Sequence, residues 1–322
     1  MIPIIDPVDR TLILKELTAD KLLRKTNNGG NEIYVVTARN SPNIMQELGR
    51  LRELSFRDAG GGTGATVDID AEDTAEEGYQ QLFVWDPKAQ EIVGGYRFIV
   101  SRTPHPKHMS TEHYFRFSDK FRNEFLPYTI ELGRSFIVNE YQRKPVSLML
   151  LWKGILNVLL RHDEFRYLMG PVTISGEFQN SSKLLIAAYL RNRHLDRENA
   201  RHIHPRTGIA VPARIDGTLI EGIDSIELIN KIVCDIEQNR FTIPILIRKY
   251  LQVGARVLGF NTDHAFCDGL DALILVDLAQ VPEKTILMLS KEMTDIDVIG
   301  RFSRYRPTIP ESSPPAEPTI PA

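Results

Sequence analysis

Residues 131–138 place one acidic and one basic side chain, Glu131 and Arg134, inside an apolar run that predicts a β-strand. Because successive side chains of a strand point to opposite faces, Glu131 should share a face with Gly133, and Arg134 should lie among large apolar groups on the other face. A charge in mid-strand is costly unless it is paired, so Glu131 and Arg134 are candidate site residues. The competing interpretations are solvated charges on an edge strand and a structural ion pair.

Two cations, Arg143 and Lys144, stand just before an apolar segment that predicts a helix over residues 147–162. The first N–H groups of a helix lack partners, and the helix dipole favours an anion there. Cations at this place carry an electrostatic cost that a bound phosphate would offset. Arg143, Lys144 and Ser147 are therefore candidate phosphate-binding residues. The alternative is a pair of solvated side chains at a turn.

The composition is that of an ordinary soluble protein. The chain has 322 residues, of which 42% are hydrophobic and 25% are charged, and its net charge is −3. The length suits one large domain or two small ones, and the net charge gives no reason to expect a nucleic-acid partner.

Cysteine usage and hydropathy predict a cytoplasmic location. Cys234 and Cys267 are too few for a disulfide framework and lack the spacing of a metal site, so we expect no bound metal. No apolar run approaches the roughly 20 residues of a membrane span. The first ten residues, with two acids and two prolines, do not resemble a signal peptide. Contact with the inner face of the membrane stays compatible with this composition.

Hydrophobic periodicity and turn residues predict a mixed α/β order of elements, unlike a doubly wound sheet or a helix bundle. The predicted helical segments are a short arm within residues 1–30, a helix beginning near Ser41, and residues 147–162, 181–193 and 243–257. The predicted strands are residues 32–38, 81–86, 92–101, 128–138, 167–175 and 272–278, with a hairpin between the second and third. The less regular segments are a glycine-rich, then acidic, mobile loop at 58–78, a loop with a short helix at 103–127, and residues 196–224.

These elements suggest a division of the chain into four parts. We expect an N-terminal arm at residues 1–40, a core at 41–195, a C-terminal part at 196–303 that completes the fold, and a tail at 304–322. The tail is rich in proline and is predicted to be disordered.

Several motifs recur in an order that resembles one family. They are Arg52 and Phe56 as R-x3-F, Asp70 and Asp73 as D-x2-D followed by Tyr79, a strand pair ending in VG-x-x-R at Arg97, and residues 131–138. Together they resemble the acyl-homoserine-lactone synthases, and still more the ornithine-lipid N-acyltransferases that are also called hemolysin-like. The resemblance covers residues 44–178, and the segments 246–259 and 271–278 favour the ornithine-lipid branch.

The resemblance implies the fold of the GNAT acyltransferases, a central mixed sheet flanked by helices, with a C-terminal addition. It also implies transfer of a 3-hydroxyacyl group from acyl carrier protein to the α-amine of ornithine or glycine, which makes a lyso-aminolipid. The acyl-phosphopantetheine of the carrier protein, or acyl-coenzyme A, would then be a co-substrate and no cofactor would stay bound. The partners implied are acyl carrier protein, the amino acid, the inner-membrane surface and an O-acyltransferase, without nucleic acid.

The phosphate-binding segment departs from the pattern of enzymes that use coenzyme A. Pro145 and Ser147 stand where those enzymes have glycines, which leaves less room for the backbone to approach a pyrophosphate. A carrier protein presents one phosphodiester on its pantetheine, so this departure favours the carrier protein as donor.

The candidate site residues take roles in a direct attack of an amine on a thioester. Glu131 would steer the amine and accept its proton, and Arg97 and Arg134 would pair with nearby acids or with the acceptor carboxylate. Backbone N–H groups around Val138 would hold the thioester oxygen. The pantetheine phosphate would be held by Arg143, Lys144 and Ser147, and a mobile N-terminal lid would contain Arg52, Phe56, Asp70, Asp73 and Tyr79.

Two other functions fit the same motifs. One is a quorum-signal synthase that consumes S-adenosylmethionine and releases a lactone, although the long C-terminal half disfavours it. The other is a non-catalytic scaffold that binds acyl carrier protein or a membrane, because a fold alone does not establish activity.

Overall fold

The protein is built around one large β-sheet flanked by helices, as a computed structural model shows. The structure describes residues 1–27, 29–142, 144, 146–212, 215, 220–264, 268–293 and 297–305. Its strands are β1 Leu22–Lys25, β2 Glu32–Val36, β3 Gln80–Asp86, β4 Glu91–Ser101, β5 Phe115–Phe117, β6 Thr129–Ile137, β7 Tyr167–Ile174, β8 Ile203–Pro205, β9 Arg256–Asp263 and β10 Gly269–Asp277. The predicted mixed α/β class is confirmed.

The helices surround this sheet and vary from a single turn to more than four turns. They are α1 Arg10–Glu16, α2 Pro42–Asp58, α3 Ala71–Thr74, α4 Thr111–Tyr114, α5 Asp119–Glu124, α6 Asn139–Gln142, α7 Val146–Arg161, α8 Asn180–His194, α9 Arg197–Ala200, α10 Ile226–Ile236, α11 Ile245–Gln252, α12 Glu283–Ser290 and α13 Val298–Ser303. None of the helices in the described part of the chain is long and apolar enough to cross a membrane.

The large sheet has the strand order β1-β2-β3-β4-β6-β7-β10-β9. Its neighbouring strands are antiparallel except β6 and β7, which are parallel and are joined through α7, as parallel neighbours require a crossover. This parallel ladder joins residues 129–131 only to residues 167–169. Beyond it, β6 pairs only with β4 and β7 only with β10, so the sheet opens between β6 and β7.

The two faces of the sheet carry different cores. Helix α7 packs on β3 and β4 over the larger core, which contains Leu132 and Phe136 of β6. The smaller core lies on the opposite face and contains Met169 of β7. Glu131 is opposite Met169 in the ladder, so it shares this second face.

Helix α2 carries Arg52 to the sheet, and its start is fixed from outside the helix. Ser41 occupies the cap position, as the prediction near this residue indicates, but its side chain makes no capping bond. The carboxylate of Glu16 accepts the N–H groups of Asn43 at 3.0 Å and Ile44 at 2.8 Å instead. Free N–H groups of the first turn are thereby satisfied by a neighbouring helix.

Most predicted core elements lie within a few residues of their expected bounds: the β3–β4 hairpin, β6, α7, β7, α8 and β10. The predicted helix over 243–257 is too long. Helix α11 ends at Gln252 and β9 begins at Arg256, because Gly254 has a φ of +86° and turns the chain. Strands β1, β5, β8 and β9 and helices α10, α12 and α13 are among the elements that were not predicted.

The glycine-rich segment after α2 is a loop, as predicted, but it also contains the short helix α3. The carboxylate of Glu53 accepts the N–H and hydroxyl of Thr63 and the N–H of Gly64. Asp70 and Asp73 form a reciprocal capping box at the start of α3. These bonds attach the segment to α2 and bring its acids toward the sheet.

The C-terminal part contributes to the same sheet as the rest of the chain. Strand β10 pairs with β7 along eight residue positions, and β9 pairs with β10 at the edge. The division at residues 195 and 196 stays a prediction. Residues 306–322, which hold most of the predicted tail, lie outside the described residues.

Candidate active site

A β-bulge in β6 determines where Arg134 points. Gly95 of β4 is opposite Phe136 while Arg97 is opposite Gly133, so β6 has one extra residue between these pairs. Arg134 lies at the bulge with a φ of +49°. Its Nε is 3.0 Å from a carboxylate oxygen of Asp68.

Because of the bulge, the prediction that Arg134 lies among apolar groups on the face opposite Glu131 is wrong. Arg134 Nη2 is 3.6 Å from Asp70, an acid that also pairs with Arg97. Arg97 is opposite Gly133 and therefore shares the face of Glu131. Arg134 consequently joins Glu131 and Arg97 and does not lie among apolar groups on the opposite face.

Glu131 is a fully buried carboxylate whose two oxygens differ. Oε1 accepts hydrogen bonds from the Tyr79 hydroxyl at 2.8 Å, the Ser110 hydroxyl at 2.8 Å and the Thr111 N–H at 3.0 Å. Oε2 is buried and has no hydrogen-bond partner within the described residues. Burial raises the pKa of Glu131, and the hydrogen bonds from Ser110, Tyr79 and Thr111 oppose that rise.

Sequence reasoning missed Ser110 and Thr111. They lie at the start of α4, in the segment predicted as a loop with a short helix. A serine before a short helical pattern is a usual helix-start signal, so the helix could be found. Its contact with Glu131 depends on a long-range approach of this loop to β6, which no local pattern reveals.

Arginines and aspartates alternate beside Glu131 in a buried network. Arg97 Nη1 is 2.6 Å from Asp70 and 3.3 Å from Asp73, and Arg52 Nη1 is 3.1 Å from Asp73. Arg52 also donates to the side-chain oxygen of Gln81. Burial acts to lower the pKa of Arg97, but the negative charges of Asp73 and Asp70 outweigh burial and raise that pKa. The network therefore favours the charged form of Arg97, whereas burial lowers the pKa of Arg52 against the opposing charges of Asp73 and Asp68.

Tyr79 links this network to Glu131. The guanidinium carbon of Arg97 is 4.2 Å from the centroid of the Tyr79 ring, while the Tyr79 hydroxyl bonds Glu131. Burial and the charge of Glu131 raise the pKa of Tyr79 well above its ordinary value. Tyr79 is therefore a neutral hydrogen-bond donor at physiological pH.

The residues assigned to the lid do not all meet. Arg52, Asp70, Asp73 and Tyr79 lie together with the predicted catalytic arginines, but Arg52 and Asp73 are buried. Phe56 packs against the larger core and is not part of the network.

Within the described residues, no group of three or more His, Cys, Asp or Glu side chains is placed to hold a metal ion.

The backbone N–H of Val138 is not free to hold a thioester oxygen. It donates to the carbonyl of Val93 at 3.0 Å, which continues the contact between β6 and β4. The role predicted for Val138 is thus unavailable in this conformation, because a single N–H already has its acceptor.

The predicted phosphate-binding residues are only partly available to a ligand. Lys144 is exposed, and its Nζ lies 4.0 Å from the centroid of the Tyr141 ring. Ser147 is buried, and its hydroxyl donates to the Tyr141 carbonyl at 2.9 Å. Arg143 lies outside the described residues. Lys144 is therefore the cation of this set that the structure places in solvent.

The opening between β6 and β7 adjoins two cavities that share Leu132, Leu168, Tyr250 and Val276. The smaller has a volume of about 30 Å³ and is lined at one end by Gly133 and Arg134. The larger, about 70 Å³, has an almost wholly apolar lining contributed by β6, β7, β10, α7, α11, α12, α13 and neighbouring turns. Arg134 is therefore the charged residue of the site that lines the smaller of these two cavities, and the larger cavity is apolar.

Gly170 permits the close approach of β7 to β6 at this opening. A Cβ atom on Gly170 would lie 2.1 Å from the carbonyl oxygen of Leu132, closer than non-bonded atoms can approach. The strands would have to separate to accept any other residue here.

A search of solved structures found weak similarity to two synthases. MesI, a CoA-dependent acyl-homoserine lactone synthase, has a TM-score of 0.39 and 12% identity, over 81% of this chain and 94% of that chain. FeeM, an N-acyl amino acid synthase from uncultured soil microbes, has a TM-score of 0.41 and 9% identity, over 78% of this chain and 94% of that chain.

Sequence comparison identifies the family. The family model described as an acetyltransferase (GNAT) domain matches residues 51–153. A glycine N(alpha)-acyltransferase of Bacteroides thetaiotaomicron is 34% identical over 306 residues, which cover 87% of each chain. A protein of the same name from Phocaeicola vulgatus is 35% identical over 297 residues, or 87% of this chain and 90% of its own. The chain therefore belongs to the same family as these proteins and is an N-acyltransferase with a GNAT domain.

Proposed function

We propose that this chain transfers a 3-hydroxyacyl group from acyl carrier protein to the α-amine of glycine, with ornithine as the alternative acceptor and acyl-coenzyme A as the alternative donor. The observation that carries this proposal is the buried carboxylate of Glu131, held by Tyr79 beside charged arginines at the β6–β7 opening. The name of the two relatives supports glycine as the first acceptor to test. The product would be an N-acyl amino acid, a lyso-aminolipid.

The chemistry is an attack of a neutral amine on a thioester. The nitrogen bonds to the carbonyl carbon, the carbon–sulfur bond breaks, and the sulfur leaves as a thiolate that takes up one proton. The ammonium form of the acceptor loses two protons overall, so one proton is released to solvent. Glu131 accepts a proton from the nitrogen through Oε2, because Oε1 already accepts three hydrogen bonds.

Arg134 is the arginine best placed to bind the acceptor carboxylate. Its side chain is 26% exposed, whereas those of Arg52 and Arg97 are 1% and 2% exposed. Arginine forms planar, charge-assisted contacts with carboxylates. Arg52 and Arg97 instead hold Asp70 and Asp73, which fix the position of α3 and of Arg134.

The donor would enter through the opening between β6 and β7. Its acyl chain would occupy the apolar cavity behind Leu132, and Lys144 would contact the pantetheine phosphate. The burial of apolar chain atoms there supplies binding energy that can be used to position the thioester.

The cellular setting follows from the nature of the product. An N-acyl amino acid is amphipathic, so we place the reaction in the cytoplasm with product release at the inner face of the membrane. A separate O-acyltransferase would add a second acyl chain to the hydroxyl of the product.

Turnover by purified protein tests the proposal. A 3-hydroxyacyl carrier protein is incubated with glycine or ornithine, and both the released thiol and the acylated amino acid are measured by mass spectrometry. We expect an amide product, and a loss of kcat/KM of about 100-fold or more in Glu131→Gln, which keeps the shape but cannot accept the proton. The absence of product with either acceptor, or full activity of the variant across pH, would contradict the proposal. A lactone formed only with S-adenosylmethionine would identify the quorum-signal activity instead.

A further inference from the structure

Three neutral polar side chains line the smaller cavity beside Arg134. They are Tyr96 of β4, Ser135 of β6 and Tyr250 of α11. The bulge leaves Tyr96 opposite two residues of β6, Arg134 and Ser135, because the flanking residues of β4 already have partners on either side of it. This polar group therefore adjoins the part of β6 that carries the proposed acceptor-binding arginine.

The hydroxyl groups of Tyr96 and Tyr250 meet inside the protein, where both residues are buried. Their oxygens are 3.3 Å apart, which is longer than the roughly 2.5–3.0 Å of ordinary O–H···O bonds. Burial raises the pKa of both phenols, and that of Tyr250 well above its ordinary value. Hydrogen bonds with neighbouring side chains oppose the rise in the pKa of Tyr96 without cancelling it. Both phenols are therefore neutral at physiological pH, and each can donate and accept a hydrogen bond.

The lining becomes less polar from the smaller cavity to the larger one. Tyr250 lines both cavities, and among the described residues around the larger one only Tyr250, Trp152 and Thr285 carry a polar side-chain atom. The surroundings thus change from a charged arginine to phenol hydroxyls and then to hydrocarbon. A buried hydroxyl costs free energy unless it is hydrogen-bonded, so a pair of weakly bonded hydroxyls at this place favours a ligand with a polar group there. A 3-hydroxyacyl thioester has its thioester, hydroxyl and alkyl chain in the same order.

We propose that Tyr96 and Tyr250 bind the 3-hydroxyl group of the acyl donor and thereby select hydroxylated donors over unsubstituted ones. This inference rests on the proposed function and adds the residues that recognise the donor's hydroxyl group. That hydroxyl is two carbons from the thioester carbon, so a thioester at the bulge of β6 places it beside the tyrosines that line the same cavity. An unsubstituted chain leaves the two phenols with only their long mutual contact, which disfavours its binding.

The test compares a 3-hydroxyacyl carrier protein with an unsubstituted acyl carrier protein of the same chain length, each with glycine and the intact chain. For the unmodified chain we expect kcat/KM to be about tenfold or more higher for the hydroxylated donor. Tyr96→Phe and Tyr250→Phe should each lower this ratio about three- to tenfold, because one neutral hydrogen bond to the donor is lost. The value of kcat/KM for the unsubstituted donor should stay nearly constant, whereas a general loss of packing would lower it for both donors.

Tyr189→Phe is the matched control, because Tyr189 is also a buried tyrosine but lines neither cavity. Its donor ratio should equal that of the unmodified chain. Thermal unfolding checks the folding of all three variants, and either cavity variant suffices if the other does not fold. Equal kcat/KM for the two donors in the unmodified chain, or an unchanged ratio in every cavity variant that folds, would overturn the inference while the proposed amide synthesis stands. No amide from either donor would overturn both.

Discussion

At the scale of single residues, the site depends on a difference in hydrogen bonding between the two carboxylate oxygens of Glu131. Three donors fix Oε1 of Glu131, and this holds Oε2 in one orientation inside a buried site. Burial favours the protonated form of such a group, while each donor favours the ionised form. The balance decides at which pH Glu131 can accept a proton.

The substitution Tyr79→Phe should favour the protonated form of Glu131. Removal of the Tyr79 hydroxyl takes one donor from ionised Glu131, so the pKa of Glu131 should rise further above its ordinary value. We expect kcat/KM to fall by about tenfold at the acid end of the profile and by less at alkaline pH, where Glu131 is ionised in both proteins.

The matched control for this variant is Tyr34→Phe. The Tyr34 hydroxyl also donates to a carboxylate, Glu32 at 2.8 Å, but both residues lie in β2, two strands away from β4. Its pH–rate profile should match that of the unmodified chain. If the fall of kcat/KM at acid pH occurred at the same pH in Tyr79→Phe, or at a lower pH, then Glu131 would not be the group that causes this fall.

At the scale of elements, the strands around the site could be predicted from sequence, but the bulge could not. Alternating or continuous apolar runs predicted the β3–β4 hairpin, β6 and β7, because each of these patterns lies within a few consecutive residues. Arg134 adopts a φ of +49° without being glycine or asparagine, so its sequence carries no signal for a left-handed residue. The contacts with Asp68 and Asp70 fix this conformation, and they arise from a loop 64 to 66 positions earlier in the chain.

The β6–β7 opening should be sensitive to the residue at position 170. Gly170→Ala places a Cβ atom 2.1 Å from the Leu132 carbonyl oxygen, so the strands must shift. We expect a loss of about 1–3 kcal/mol in the free energy of unfolding, measured by urea denaturation, together with a higher KM for the acyl donor.

Gly222→Ala is the control, because a Cβ atom there would meet nothing within 4 Å and no left-handed φ is required. Its free energy of unfolding should stay within roughly 0.5 kcal/mol of the unmodified value. Equal stability of the two alanine variants would mean that the close approach of β6 and β7 is not a feature of the folded protein.

At the scale of the whole molecule, the sheet joins distant parts of the chain around one cavity. Leu132 and Leu168 come from β6 and β7, while Ile286 and Phe302 come from α12 and α13 near the C-terminal end of the described residues. From the sequence we expected a C-terminal part that completes the fold and contains a buried strand at residues 272–278. The sequence did not show that these helices line the cavity, because short amphipathic segments do not specify their partners.

Filling the cavity should change the preference for acyl chain length. Ile286 of α12 is buried at 3% exposure and lines the cavity, so Ile286→Phe should reduce kcat/KM for long-chain donors by about tenfold relative to short-chain donors. Competition between donors of different length, read by mass spectrometry, measures this ratio directly.

Met288→Phe is the matched control on the same helix, because Met288 is 51% exposed and does not line the cavity. Its preference should equal that of the unmodified chain. If Ile286→Phe also kept the preference while remaining folded, the acyl chain would have to bind elsewhere.

The central claim, that this chain makes N-acyl amino acids with Glu131 as the proton acceptor, is tested most directly by lipid mass spectrometry of cells that express it. The account predicts a new N-(3-hydroxyacyl) amino acid, with glycine as the first expected acceptor. Cells expressing Glu131→Gln at the same soluble level should lack it. The same new lipid at full yield in the variant, or no new lipid from a stable chain with a confirmed hydroxyacyl-carrier pool, would contradict the claim.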